Sequence, residues 1–377
     1  MNSTPALRVL VVTADLGGNV PPVLGIASRL LADGAAVQVL GHAAQEVAVS
    51  GRGLPFTAYT RGRNYDPLEH RSSLAGLSNL IGLVSDGGIG ADLIEVAAHE
   101  RSDVVLVDCM LLGGLRASSR AGIPTVALVH SLPAFFTGPW AHGPIGTAAA
   151  LRGLRPAKVW RELQGAVTVS LPALAGTDTA LGGPVVGPVW QGAPRPAERR
   201  AGRPRVLLSL STIEWPGQVS VAQRLLDALD GMDVDAVFTT GPALKAALLS
   251  APRNVELHHW VDHAELMPRV DLVIGHGGHT TTMRALAHDL PLLMLPMHPM
   301  VDQPMVARVV AEQGAGLALR RSASPEAIRQ AVHRLLAEPN FKAAAATVGA
   351  QIRAQDGAVA ASEYLRTLAR TAVSRGR

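Results

Sequence analysis

An apolar run from Val270 to Ile274, broken only by Asp271, feeds directly into His276-Gly277-Gly278-His279 and then three threonines. This reads as a buried strand, a tight turn and a helix start, the outline of a phosphate cradle. Two glycines let backbone come close to an anion. The first turn of the following helix offers unpaired N–H groups and the Thr280 and Thr281 hydroxyls at the positive end of its dipole. His276 can donate to a phosphate oxygen. A Gly-Gly turn alone is common in α/β proteins, so its flanks carry the meaning. Trp260 precedes it in a Trp-Val-Asp-His step, and after it a second apolar run, PLLMLPM, leads to Asp302-Gln303. In an open parallel sheet, ligands sit outside the carboxyl ends of adjacent strands, which brings these pieces to one crevice. An aromatic face for a base, helix N-terminal donors for a diphosphate, and a carboxylate with an amide for hydroxyls describe a nucleotide sugar.

The N-terminal half alternates in the same way. LRVLVV is a strand from Leu7, TADLGGN a glycine-rich turn, Val23 to Ala32 a helix closed by Asp33-Gly34, and AVQVLG the second strand. Such alternation implies a parallel sheet with right-handed crossovers. Asp103 to Asp108 and Thr125 to His130 are further strands, and their polar ends, Asp108 and His130, face the same crevice as the turn from Asp15 to Asn19. Two stretches read as irregular, from Tyr59 to Gly90 and from Leu132 to Gly146. The second holds Phe135, Phe136, Trp140 and His142, in a chain with only five phenylalanines and five tryptophans. That concentration suits either an apolar pocket for a ligand or an aromatic plug over the core.

A proline- and glycine-rich segment from Pro172 to Pro204 marks a linker. RVLLSLST then opens a second domain with a strand ending in Ser209, Ser211 and Thr212. Those hydroxyls suit either a diphosphate or the cap of the helix after Pro216. Val234 to Thr239 and Val255 to His258 are strands, and Ser324-Pro325-Glu326 starts a helix. The alanine-rich end reads as two helices divided at Gly357.

With 377 residues, 48% of them hydrophobic, the chain can fill two cores. Net charge is only +4, and Arg366, Arg370, Arg375 and Arg377 place part of the basic excess in the tail, a solvated end rather than a nucleic-acid patch. An aromatic content of 3% leaves little for stacking along a single strand of nucleic acid. The lone cysteine, Cys109, excludes an intramolecular disulfide, offers no zinc spacing and fits a reducing cytoplasm. No run approaches the roughly 20 apolar residues of a membrane span, so a soluble protein is expected.

The stretch from Trp260 to Gly316 resembles the donor-binding signature of the family 1 glycosyltransferases, the plant, macrolide and other natural-product enzymes with the GT-B fold. It shares their Trp-x-x-(Gln/His), His-x-Gly, Thr-Thr and Asp-Gln elements at matching spacing. The resemblance extends weakly over nearly the whole chain. It implies an α/β protein of two facing Rossmann-like domains with parallel sheets: an acceptor-binding domain over residues 1–180, a linker over 181–204, a nucleotide-sugar domain over 205–360, and a last helix and basic tail over 361–377 that cross back to the first domain. Trp260 would stack on the base and His263 hold its edge. His276, Gly278, Thr280 and Thr281, with Ser211 and Thr212, would hold the diphosphate, and Asp302 with Gln303 would bind sugar hydroxyls. Where many members carry a glutamate for the ribose hydroxyls, this chain has Arg284.

Inverting sugar transfer needs a general base within hydrogen-bond reach of the acceptor hydroxyl. In the resembled family this is usually a histidine in a Gly-His-Val-x-Pro turn, oriented by an aspartate at a later strand end. Here the turn reads Gly18-Asn19-Val20-Pro21, and asparagine cannot take up a proton near pH 7. Asp108 matches the aspartate. Candidates for the base are Asp108, Asp15 and His130, with Asn19 positioning the acceptor; Phe135, Phe136 and Trp140 are candidates for acceptor binding. The expected activity is inverting transfer from a UDP- or TDP-sugar to a small apolar or aromatic natural-product acceptor, in an antibiotic-type biosynthesis. A C-glycosyltransferase and a catalytically inactive auxiliary protein are the alternatives. No cofactor or metal is expected if helix N-terminal donors neutralise the diphosphate. Neither nucleic acid nor an integral membrane segment is expected, and a homodimer is left open.

Overall fold

Among the described residues, twelve strands fall into two sheets of six, every neighbouring pair parallel. The first comprises β1 (Arg8–Val12), β2 (Ala36–Gly41), β3 (Phe56–Ala58), β4 (Val104–Asp108), β5 (Thr125–Val129) and β6 (Gly165–Thr168), in the order β3-β2-β1-β4-β5-β6. The second comprises β7 (Arg205–Ser209), β8 (Asp235–Thr239), β9 (Val255–His258), β10 (Leu272–Gly275), β11 (Leu292–Met294) and β12 (Gly316–Ala318), in the order β12-β11-β10-β7-β8-β9. This computed structural model describes residues 6–66, 68, 73–175, 181–190, 192–198 and 201–375. Each sheet has the doubly wound order 3-2-1-4-5-6, and its switch point lies between β1 and β4 in one and between β7 and β10 in the other.

The strands are short apolar runs because helices cover both faces. β4 and β5 are buried at every residue. In the first compact unit Val9, Val11, Leu106 and Leu128 pack with Leu24 and Ile26 of the helix Val20–Ala32. Ala361, Leu365 and Ala369 of the last helix, Gly357–Arg375, complete that cluster. Ser362 Oγ donates to Asp33 Oδ2 at 2.7 Å, tying the last helix to the end of the first. Residues 1–67, 71–191 and 356–377 thus form one unit, and 68–70 with 192–355 the other. In the second, Val206, Leu208, Ile274 and Leu293 pack with Leu225, Leu226, Val332 and Leu335. As the serine-proline start predicts, Ser324 Oγ caps the helix Pro325–Ala337, accepting from the Ala327 N–H at 3.2 Å.

Three local readings change. The first helix begins at Val20 rather than Val23, because Pro21 and Pro22 occupy its first turn, where the missing N–H groups would have no intrahelical partner. The stretch from Leu132 to Gly146 is mostly helical. It runs through Pro133–Phe135 into a π-helical turn, Phe136–Trp140, with Pro139 inside it, and on to the helix Pro144–Leu151; three prolines hid the periodicity. Most of Tyr59 to Gly90 is also structured, with helices Ser73–Val84 and Gly87–Glu100, while residues 67 and 69–72 of that reading lie outside the described ones.

The loop before them is anchored by Asp92, which is buried. Its carboxylate accepts from Thr60 N at 2.8 Å, Thr60 Oγ1 at 2.9 Å, Arg61 N at 2.9 Å and Gly62 N at 3.0 Å. Burial alone would raise its pKa, but the Gly62, Arg61 and Thr60 donors together hold it below the usual carboxylate value. Asp92→Asn turns an amide toward these donors and should cost about 1–3 kcal/mol, seen as a lower denaturant midpoint at unchanged slope. An unshifted midpoint would show that the loop does not depend on this carboxylate.

Candidate functional site

The polar residues at the strand ends gather at the two switch points. In the second unit Gly275 pairs with Ser209 across β10 and β7, so the turn after β10 emerges beside the loop after β7. Gly277 has φ +81°, which only glycine adopts without strain, and a Cβ there would lie 3.0 Å from the Gln303 carbonyl. Gly278 has an ordinary φ of −63° but no room: a Cβ would fall 2.5 Å from His276 Nε2. The His276 ring therefore lies across the turn. Gly278 is also the N-cap of the helix His279–Ala287 and supplies no side-chain cap, so the positive end of the dipole faces the turn that holds His276. Thr280 and Thr281 are half-buried in the first turn of this helix.

On the β8 side, Thr239 Oγ1 donates to the Leu208 carbonyl at 3.3 Å and lies 3.3 Å from His263 Nε2. With the hydroxyl proton committed, Nε2 of the neutral ring is the donor in that contact and Nδ1 is left as an acceptor. Trp260, just ahead, is 69% exposed, an indole with an open face. On the β11 side, Gln303 is buried and its Oε1 accepts from the Met297 N–H at 2.7 Å, which fixes the loop carrying the half-buried Asp302.

Of the two readings of Ser211 and Thr212, capping is excluded. The helix Gln218–Leu229 has Gly217 at its N-cap and no side-chain cap. Ser211 Oγ instead accepts from the Ile213 N–H at 3.0 Å, and Thr212 is exposed. Two residues that sequence reasoning passed over hold this loop. Gln218 Nε2 donates to the Ser211 carbonyl at 3.2 Å, and Arg321 donates to the carbonyls of Pro216 and Met297 at 2.7 and 2.8 Å.

In the first unit the centre is Asp108, 1% exposed at the end of β4. Its Oδ2 accepts from Asn19 Nδ2 at 2.6 Å and its Oδ1 from the Met110 N–H at 2.9 Å. Asn19 stands at the N-cap of the helix Val20–Ala32, a position asparagine favours, yet its side chain does not cap. Its Nδ2 also donates to the Ala14 carbonyl at 3.2 Å, which leaves Oδ1 buried without a partner. His130 Nδ1 lies 3.5 Å from Asp108 Oδ2 and is likewise buried without a hydrogen bond. At Asp15 the backbone N–H donates to His42 Nδ1 at 3.2 Å.

His42 was not singled out from sequence, although it follows β2 directly, as His130 follows β5. It packs edge-on to Tyr59, whose hydroxyl donates to the Thr13 carbonyl at 2.8 Å. Burial holds its pKa below the usual histidine value.

Phe135, Phe136 and Trp140 are only 6%, 1% and 2% exposed. They stack edge to face with one another, Trp140 continues onto Trp160, and Phe136 meets the His130 ring at 5.4 Å. They are packed as a buried aromatic cluster against the His130 ring.

Residues 223–362 match the family described as erythromycin biosynthesis protein CIII-like, C-terminal domain. The chain is 26% identical to 4'-demethylrebeccamycin synthase of Lentzea aerocolonigenes, over 96% of this chain and 99% of that one. With 10-deoxymethynolide desosaminyltransferase of Streptomyces venezuelae it shares 35% identity over 46% of this chain and 40% of the relative. Among solved structures, spinosyn rhamnosyltransferase SpnG superposes with a TM-score of 0.71 as its thymidine diphosphate complex and 0.73 as its spinosyn aglycone complex. It is 23% identical and covers 96% of this chain and 100% of its own. The chain has the GT-B fold and is a homologue of actinobacterial antibiotic glycosyltransferases. Among the described residues no helix is long and apolar enough to cross a membrane.

Two histidines of the second unit carry a testable signature. Burial lowers His276 to about 4, against a hydrogen bond to the Ser209 backbone that raises it. Burial, then the Arg284 charge, lowers His263 to about 4, with Asp262 opposing. Exposed histidine titrates near 6.5, so between that value and about 4 the unfolded chain binds more protons and stability falls as pH drops. The melting temperature should decline from pH 7 to pH 5, and His276→Gln should make that decline shallower. Equal slopes for the two proteins would contradict a half-buried His276 held neutral by desolvation.

Proposed function

We propose that this protein transfers a sugar, with inversion, from a thymidine or uridine diphosphate sugar to a small apolar or aromatic acceptor carrying an acidic hydroxyl. The observation that carries the donor half is the His276 ring lying over Gly278 beside an uncapped helix N-terminus. That arrangement offers a diphosphate a donor and a positive dipole end without a metal ion. Trp260 would stack on the base. A neutral His263 with Nδ1 free to accept suits the N3–H of a pyrimidine dione. Asp302, on the loop that Gln303 fixes, would take the sugar hydroxyls. The relatives support the class: SpnG is solved with thymidine diphosphate and with an aglycone, and two relatives are named a desosaminyltransferase and a mycarosyltransferase.

In the transfer step the acceptor oxygen forms a bond to the anomeric carbon while the bond from that carbon to the diphosphate oxygen breaks. The electron pair leaves with the nucleotide, and the acceptor proton passes to the protein. We assign that proton to the Asp108–His130 pair. Asn19 would hold Asp108 in place and offer its unpartnered Oδ1 to the acceptor hydroxyl. A carboxylate-centred base is a weak one, so a phenol should react faster than an aliphatic alcohol. An auxiliary role that binds nucleotide without transfer is the second reading, favoured by an asparagine in the turn where the resembled family carries its base.

Turnover and donor affinity separate these readings. Asp108→Asn and His130→Ala should each lower turnover by about 10²- to 10⁴-fold with donor affinity unchanged, whereas Asn19→Ala should cost about tenfold or less. If neither Asp108→Asn nor His130→Ala slows transfer more than about tenfold, the pair is not the proton acceptor. Zero turnover for the unsubstituted protein with every phenolic acceptor, with nucleotide still bound, would establish the auxiliary role.

A further inference from the structure

The chain's one cysteine follows Asp108 directly, and its side chain is fully buried. Asp108 ends β4 and the chain turns there, so the Cys109 sulfur, an Asp108 carboxylate oxygen and a His130 ring nitrogen all lie within 4.8 Å of one another. The spacing predicted from sequence held no zinc motif, because two of these groups are neighbours in the chain and the third comes from the adjacent strand end. We infer that Asp108, Cys109 and His130 form a binding site for a thiophilic divalent cation of the zinc type, and that its occupancy switches off the proton acceptor of the first unit.

Three features carry this. Thiolate, imidazole and carboxylate together are the donor set that zinc takes in four-coordinate sites. The pair of Asp108 Oδ2 and His130 Nδ1 stands at 3.5 Å and is not hydrogen bonded. That is too long for a good hydrogen bond, but zinc bonds of about 2.0 to 2.1 Å at the tetrahedral angle set their oxygen and nitrogen ligands about 3.4 Å apart. Finally, His130 Nδ1 is buried with a lone pair or proton that nothing satisfies. Asn19, 2% exposed and bonded to Asp108, holds a second unpartnered atom, Oδ1. Buried polar atoms without partners are costly, and a cation at this point would satisfy the imidazole. Asp108 keeps its contacts with Asn19 and Met110, since each carboxylate oxygen has a second lone pair.

Binding requires only the first unit. Its effect on transfer rests on the assignment of Asp108 and His130 as the proton-accepting pair. A bound cation would occupy the His130 Nδ1 and Asp108 Oδ2 lone pairs that face each other, and its charge would lower the basicity of the rest of the carboxylate, so the pair could no longer take the acceptor proton.

Cobalt titration of the tag-free, metal-free full-length protein tests the site without any transfer assay. A sulfur-to-cobalt charge-transfer band can arise only from Cys109, because the chain has no other cysteine. The band should saturate at one equivalent, be abolished by excess Zn²⁺ and be absent in Cys109→Ala, and His130→Ala should weaken zinc binding at least about tenfold. Absence of the band in folded, unsubstituted protein overturns the site, as does zinc affinity that Cys109→Ala leaves unchanged. In transfer assays Zn²⁺ should inhibit the unsubstituted protein, while Cys109→Ala should retain basal turnover and need at least about tenfold more Zn²⁺ for the same inhibition. Equal sensitivity would overturn the switch even with the band present. A chain that shows the band but no turnover without metal would leave the site standing and remove the transfer reading instead.

Discussion

The turn after β10 depends on one close approach, the His276 imidazole laid across a residue that has no Cβ. Gly278 adopts a backbone that any residue could adopt, so its role is spatial: Nε2 would stand 2.5 Å from the first side-chain carbon. Gly277 has a different role, bending the chain through positive φ under the Gln303 carbonyl. Together they aim a ring and a helix N-terminus at the same point. The 3-2-1-4-5-6 order places that point where the sheet's winding reverses, so the loops after β7 and β10 open side by side. Gln218, Arg321 and Gln303 then hold the neighbouring loops by backbone hydrogen bonds, which leaves Asp302 and Thr212 on supports that do not need a ligand to form.

The first unit repeats the winding with different chemistry. Asp108 sits at the corresponding switch point, buried, and its neighbours are organised around its charge. Asn19 gives up the capping bond it could make in order to donate to Asp108, and His130 stops just beyond hydrogen-bond reach. An asparagine in place of a histidine therefore keeps the carboxylate oriented while removing an ionisable group. Under the proposed transfer the proton acceptor is then Asp108 with His130, the same two groups that, with Cys109, lie within 4.8 Å of one another.

Much of this was legible because parallel α/β folds write themselves plainly in sequence. Short runs such as VVLVD and LVIG are apolar on both faces, and the first polar residue after each marks the functional end of the sheet. That rule found Asp108, His130 and His276, and applied to AVQVLG it would have found His42 as well. What stayed hidden depended on packing. Phe135, Phe136 and Trp140 read equally as a pocket wall or a core plug because prolines at 133, 139 and 144 broke the helical period; the chain coils through them and buries the rings. Whether Ser211 caps a helix or faces a ligand turned on a hydrogen bond to Ile213, two residues away. The Asp108–Cys109–His130 grouping needs the β4–β5 pairing, which a linear spacing rule cannot express.

The most direct test of the cradle is calorimetric titration of thymidine and uridine diphosphate into Gly278→Ala beside His276→Ala. The new methyl group leaves the backbone unstrained and displaces only the ring, so both variants should fold as the unsubstituted protein does. Each should lose roughly ten- to a hundredfold in affinity, the worth of a charge-assisted hydrogen bond to the diphosphate. If Gly278→Ala binds both nucleotides as tightly as the unsubstituted protein, the ring over the turn is not what holds the phosphates, and the donor site must be sought elsewhere.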